Sequence, residues 1–388
     1  MKTTLKLIGD LLIGIVVGLA IATVIVVVFT DPTFTEFKDN MLSTDGIEIA
    51  AAALVGVLSF IVSIAILIPI HEAGHLVCGV LSGYKFVSFR VFNLTFIKIN
   101  GKVRVKKFSV AGTDGQCLLT PPDLPLQNIP TAWYNAGGVL ANILVLLLIL
   151  PLFLLNLNPF WAEGLVIFCL TDIFLILMNG IPMKINGISN DGYNIIYLNR
   201  NLLSKRAIVL QLQSNSLIQN GMRSKDMPPE WFEWRTDIDF KNPLEVSIPL
   251  MYASRLVDEM EFDEAYSKFN ELYSHKADIM QLYVNEIACE LVFCAMITEH
   301  EGKAQELLDE KLRKYIEEYR KVMSSKQRIL CAIALYLEND RAKATEIYQT
   351  LENSKERYLL QGEVKSDLAI MNWMLHGYKE KNVWLTSH

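Results

Sequence analysis

The sequence predicts a mainly α-helical, polytopic membrane protein. It should have about four transmembrane helices, a small membrane-surface β-hairpin or sheet, and an α-helical cytoplasmic domain that resembles a helical-repeat stack. Three observations predict this. Charge is uneven: residues 1–199 carry 11 basic and 12 acidic side chains, whereas residues 200–388 carry 25 and 30. Four apolar stretches in the first half approach the roughly 20 residues that a bilayer span requires. Between the second and third lies an alternating, Asn-Gly-centred pattern that reads as a hairpin. The expected boundaries are an anchor helix and outer loop over 1–46, a membrane core over 47–196 and a helical domain over 197–388.

The expected spans are Leu11–Thr30, Ile49–Ile70, Trp133–Leu155 and Gly164–Pro182, the last interrupted only by Asp172. Lys2 and Lys6 precede the first. Its apolar run is longer than a signal-peptide h-region and no small-x-small cleavage site follows, so a retained anchor is expected. Loop charge sets the orientation. Residues 31–48 hold five acids against Lys38, while residues 84–110 hold seven basic side chains and no acid. Basic loops stay in the cytoplasm, which puts both termini there, with the Asn156–Glu163 link outside. The expected location is the cell membrane, of bacterial type. Neither half has a basic surface suited to nucleic acid. The six cysteines form no CxxC pair and are expected to be reduced and structural.

In the basic loop, Phe86–Phe92 alternates in part. Phe96–Val105 alternates around Asn100-Gly101, whose residues supply the positive φ of a type I′ turn. In the second half, Phe262–Phe269, Gly302–Leu308 and Arg341–Tyr348 share an alanine followed four residues later by a large apolar side chain. The alanines, Ala265, Ala304 and Ala344, recur at intervals of 39 and 40. Small residues there let helices approach closely. A stack similar to tetratricopeptide repeats and an irregular bundle both fit this pattern.

His71-Glu72-Ala73-Gly74-His75 ends the second apolar run. Histidines four apart share a helix face and can grip one metal ion. Glu72 is placed to reach a water on that ion without being a ligand. Buried charge in a bilayer costs about 2.5–3.5 kcal/mol per group on insertion scales, so three ionisable groups here imply function. A zinc site of this kind needs a third protein ligand and an open position for water. Asp172, inside the fourth span, and Asp191, beyond it, compete for that role. The topology returns Asp191 to the side of His71 and His75. Pro182 ends the helix, and Gly187 and Gly192 let the chain turn back. Asp172 lies 19 residues earlier, about 28 Å along a continuous helix, and is expected to face the bundle interior as a polar or proton-handling group. Asn142 could donate to substrate or oxyanion, or form an interhelical contact. Asp114-Gly115-Gln116-Cys117 reads as a loop lining a substrate entrance. Cys117 has no histidine outside the HEAGH segment in its half of the chain, so a nucleophilic role is not expected.

These residues resemble the site-2 protease family of intramembrane zinc metalloproteases. The resemblance rests on His71–His75, on Asn179-x-x-Pro182…Asp191-Gly192, and on Ala136-Gly137-Gly138-Val139-Leu140-Ala141-Asn142, and it covers about residues 47–196. It implies zinc held by His71, His75 and Asp191, with Glu72 as catalytic base, and cleavage of membrane-anchored protein or peptide substrates. The interval from Pro182 to Asp191 exceeds that of the usual motif. No inserted peptide-binding β-domain is evident, so substrate choice is assigned to the helical C-terminal region, with a cytoplasmic protein or peptide as its partner. The competing reading is a membrane-anchored helical-repeat binding or immunity protein with a structural metal site.

Overall fold

A computed structural model describes residues 46–99, 101–107, 115–155, 157–185, 187–298 and 300–376. The expected anchor helix at Leu11–Thr30 lies outside them. The described chain is mainly α-helical, with three helices long and apolar enough to cross a membrane and one four-stranded open sheet. These helices support an integral-membrane assignment. Two compact units emerge, one ending at His71 and resuming over Val139–Asn179, the other comprising Glu72–Gly138 and the chain from Gly180.

The first unit is built from apolar helical segments. Helix α1 spans Gly46–Leu81, α2 spans Thr131–Ile149 and α3 spans Pro159–Gly180. Only 17% of each membrane-length window is buried. Leu54, Leu58, Ile61, Leu144, Leu147 and Phe174 all face outward, as hydrocarbon contact requires. The expected span limits shift. Helix α1 runs eleven residues beyond Ile70, through the histidines, because nothing in His71–Leu81 breaks a helix. Helix α3 begins at Pro159, not Gly164, so Glu163 lies in the helix and not in the link. Proline suits a first helical turn, where its missing N–H is not needed, and Asn158 Oδ1 accepts from the Phe160 N–H at 3.0 Å.

The second unit opens with the sheet. Strands β1 (Lys85–Val91), β2 (Leu94–Ile99), β3 (Lys102–Lys107) and β4 (Gly115–Thr120) lie in the order β3-β2-β1-β4, all neighbours antiparallel. The β2–β3 register pairs Ile99 with Lys102, and Gly101 in the turn has φ of +80°, as the Asn-Gly pattern anticipates. Strand β4 corrects the reading of residues 115–117 as a loop. Its apolar Cys117-Leu118-Leu119 run does not alternate, so period-two reasoning passes over it. Pairing with β1 and burial of all three side chains make it a strand. The register shift between Phe86 and Ser88 marks a bulge, which absorbs the mismatch.

A ten-residue excursion follows α3. Strands β5 (Lys184–Ile185) and β6 (Ile188–Ser189) pair as a short hairpin, with Gly187 at φ +87°. Helix α4 (Asp191–Tyr197) starts immediately after it. The helical half continues with α5 (Leu202–Gln219), α6 (Pro243–Glu259), α7 (Phe262–Ser274), α8 (Gln281–Ile297), α9 (Glu301–Leu307), α10 (Glu310–Tyr319), α11 (Ser324–Ala332), α12 (Arg341–Ser354) and α13 (Gln361–His376). Ala265, Ala304 and Ala344 are fully buried in its core. A larger side chain would have to displace the facing helix, at a typical cost of about 1–3 kcal/mol. Helix α5 also packs on the sheet: Val209 and Leu212 join Val87, Cys117, Leu118 and Leu119 in a second cluster. Lys106 on β3 donates to the carbonyls of Glu356 and Tyr358 at 2.8 and 3.3 Å, tying the sheet to the helical half.

Candidate metal centre

His71 and His75 stand one turn apart on α1, so the helix alone sets their spacing. Each ring is held by its second nitrogen. His75 Nδ1 lies 2.8 Å from the Tyr134 carbonyl oxygen, which can only accept, so Nδ1 carries the proton and donates. His71 Nδ1 lies 2.8 Å from Asn142 Oδ1, and donates to it by the same argument. With Nδ1 engaged in this way, each ring has Nε2 to offer to a metal. Asn142 Nδ2 in turn donates to Asp172 Oδ1 at 2.6 Å. Asn142 and Asp172 are both fully buried. An amide–carboxylate relay thus stands behind His71, and both ends of the Asn142 amide are engaged.

Asp191 reaches the histidines because the turn before it is latched. Asn190 caps α4, its Oδ1 accepting from the Tyr193 N–H at 2.9 Å and from the Met183 N–H at 3.1 Å. Its Nδ2 donates to the Ile181 carbonyl at 2.6 Å. The extra residues between Pro182 and Asp191 are taken up by the β5–β6 hairpin, which returns the chain to its start. Asn194 Nδ2 then donates to Asn135 Oδ1 on α2 at 3.2 Å, fixing α4 against α2. Asp191 Oδ2 ends 3.3 Å from His75 Nε2. Sequence reading did not single out Asn190. An Asn three residues before a potential helical tyrosine amide was the available cap signal.

One ligand atom from each of His71, His75 and Asp191 lies within 4.8 Å of the others, and no other such group occurs among the described residues. Two imidazole nitrogens and a carboxylate oxygen suit zinc, and three protein ligands leave a position open. The donor set fits the ion. Asp172 stands apart from this group, with its Oδ2 buried and unpartnered.

Glycines make the close approaches. A Cβ added at Gly137 would collide with the Gly74 carbonyl, and one at Gly115 would sit 2.6 Å from Glu72 Cγ and 2.7 Å from its Oε1. The small-residue run in α2 therefore lets that helix lie directly on the HEAGH turn, while β4 runs beside the Glu72 carboxylate. Strand β4 is held there by Tyr134, whose hydroxyl donates to the Cys117 carbonyl at 2.6 Å, and by Thr120, whose hydroxyl donates to Ser216 Oγ at 2.8 Å. Burial and the nearby Glu72 charge push the Cys117 thiol up to about 12, which makes it a poor nucleophile. All six cysteines are unbridged, and five are buried.

No protein-family model, curated protein or solved structure matches this chain. The class that fold and site define is a membrane metalloprotein: apolar membrane-length helices carrying a His/His/Asp cluster able to coordinate a metal ion.

Proposed function

We propose that this protein is an intramembrane zinc metalloprotease of the site-2 protease type, hydrolysing peptide bonds of membrane-anchored proteins or peptides. The observation that carries this reading is Glu72. A structural His/His/Asp site has no use for a carboxylate one residue from a ligand, yet the chain places one there and lays a sheet edge beside it.

His71, His75 and Asp191 would hold the ion. Bound zinc supplies Lewis acidity, lowering the pKa of water toward about 7 and polarising the scissile carbonyl. Glu72 accepts the proton of the attacking water. As the water oxygen bonds to the carbonyl carbon and the C–N bond breaks, Glu72 passes that proton to the leaving nitrogen. Asn142, backed by Asp172, and the Tyr134 carbonyl keep the two imidazoles oriented. This gives Asn142 a positioning role in place of direct contact with the oxyanion. Among the described residues, strand β4 pairs with β1 alone. Its other edge can pair with an unwound substrate segment and present an extended peptide beside Glu72.

Cleavage of single-span substrates by the full chain in detergent should be zinc-dependent. A chelator should abolish it, and added zinc should restore it. Cleavage that persists at undetectable metal content would refute the proposal. The orientation is proposed with the basic β-strands and the helical half in the cytoplasm. A reporter fused after His388 should behave as cytoplasmic, and extracellular behaviour would reverse it.

A further inference from the structure

Directly after α3 the chain carries a row of stacked charges and rings that the metal centre does not use. Lys184 on β5 sits over the Tyr193 ring, its Nζ 4.8 Å from the centroid. Tyr193 and Tyr197, one turn apart on α4, stack with centroids 4.4 Å apart. Arg200 closes the far end, its Cζ 5.8 Å from the Tyr197 centroid. The order is cation, ring, ring, cation. Such contacts orient a charged head without neutralising it. Neither Lys184 nor Arg200 forms an ion pair among the described residues.

The surroundings select the partner. From Ile181 to Leu202 the single acid is Asp191, and its Oδ2 lies against His75. The two cations therefore find no carboxylate in their own stretch of chain. The same stretch exposes four large aliphatic side chains, Ile181, Ile188, Ile196 and Leu202, and the Tyr197 ring. Apolar surface gathered beside free charge marks an interaction site. Its place in the chain says with what. Ile181 follows Gly180, where a helix long and apolar enough to cross a membrane ends. Residues at such a helix end meet the headgroup layer. Tyrosine rings and basic side chains are favoured there, with the apolar body in the acyl boundary and the charge at the phosphates.

We propose that the Lys184–Tyr193–Tyr197–Arg200 row is a docking surface for the anionic phospholipids of the bilayer interface. The exposed isoleucines and Leu202 enter the acyl boundary, and Lys184 and Arg200 bind lipid phosphates. Lys184 precedes Asp191 in the chain and Arg200 follows it. The lipid contact thus brackets the third candidate ligand and holds α4 at the depth of the headgroups. It stands whether or not the metal centre is proteolytic.

The test places an NBD fluorophore on Ile188→Cys in the full chain, reconstituted into phosphatidylcholine vesicles. The unsubstituted chain gives the labelling background. Doxyl-labelled quenchers carry either a phosphatidylglycerol or a phosphatidylcholine headgroup at equal mole fraction. Each basic side chain at an anionic surface favours association about fivefold, so the anionic quencher should be the stronger by at least about that factor. A doxyl group high on the acyl chain should quench more than one near its end. Lys184→Gln combined with Arg200→Gln should bring the headgroup ratio to about one, because it removes both charges. Lys184→Arg combined with Arg200→Lys keeps the charges and should preserve the ratio. No quenching by either lipid would mean that the surface faces water or a protein partner. Equal quenching by both headgroups would leave the cations without a role. Cancellation of the ratio by inorganic phosphate, but not by chloride at equal ionic strength, would identify a free-anion site. Each of these three results would overturn the proposal.

Discussion

Glu72→Gln is expected to leave the zinc content unchanged and to lower peptide-bond cleavage by about 10²–10⁴-fold, the usual contribution of a positioned general base. The amide has the shape of the carboxylate and fits the same space beside Gly115, but it cannot take a proton from water. The ligand atoms of His71, His75 and Asp191 are untouched. Metal analysis of the purified variant, set beside its cleavage rate on a single-span substrate, checks both halves. Turnover within a few-fold of the parent would remove Glu72 from the mechanism. Loss of zinc would make it a ligand instead of a base.

The second large effect separates the two aspartates. Asp191→Ala removes a carboxylate that lies 3.3 Å from His75 Nε2, and two protein ligands rarely hold zinc. The variant should be purified without metal. Asp172→Ala removes only the group behind Asn142, which itself holds His71. Outer-shell partners of this kind typically change affinity by about 10–100-fold. Asp172→Ala should therefore bind zinc with weakened affinity and still load at saturating metal. Titration with a competing chelator distinguishes absence from weakening. A variant series in which Asp172→Ala is metal-free and Asp191→Ala loads normally would reverse the assignment.

The two aspartates also show how far sequence reasoning reaches. Counting along a helix separates Asp172 from Asp191 by distance, and topology chooses a side of the membrane for each. Neither argument shows that Asp172 meets Asn142, because that contact joins helices 30 residues apart. The longer Pro182–Asp191 interval reads as a departure from the resembled motif. Folded, it is a two-stranded hairpin closed by Asn190, which lets a longer loop end where it began. Strand β4 was illegible for another reason. Buried on pairing with β1, it carries consecutive apolar residues, and consecutive apolar residues do not announce a strand.

Local rules determined the rest. Apolar run length specified the three membrane-length helices, since a bilayer tolerates few other structures. The four-residue spacing put His71 and His75 on one face, because 3.6 residues make a turn. Gly101 accepts the positive φ of the β2–β3 turn, which few other residues do. The alanine spacing marked Ala265, Ala304 and Ala344 for burial. Only tertiary structure decided which carboxylate joined the histidines, which amide oriented His71, and that β4 would lie against Glu72. Each of these depends on chain segments distant in sequence. Their approach is set by packing of whole elements, and no local periodicity encodes it.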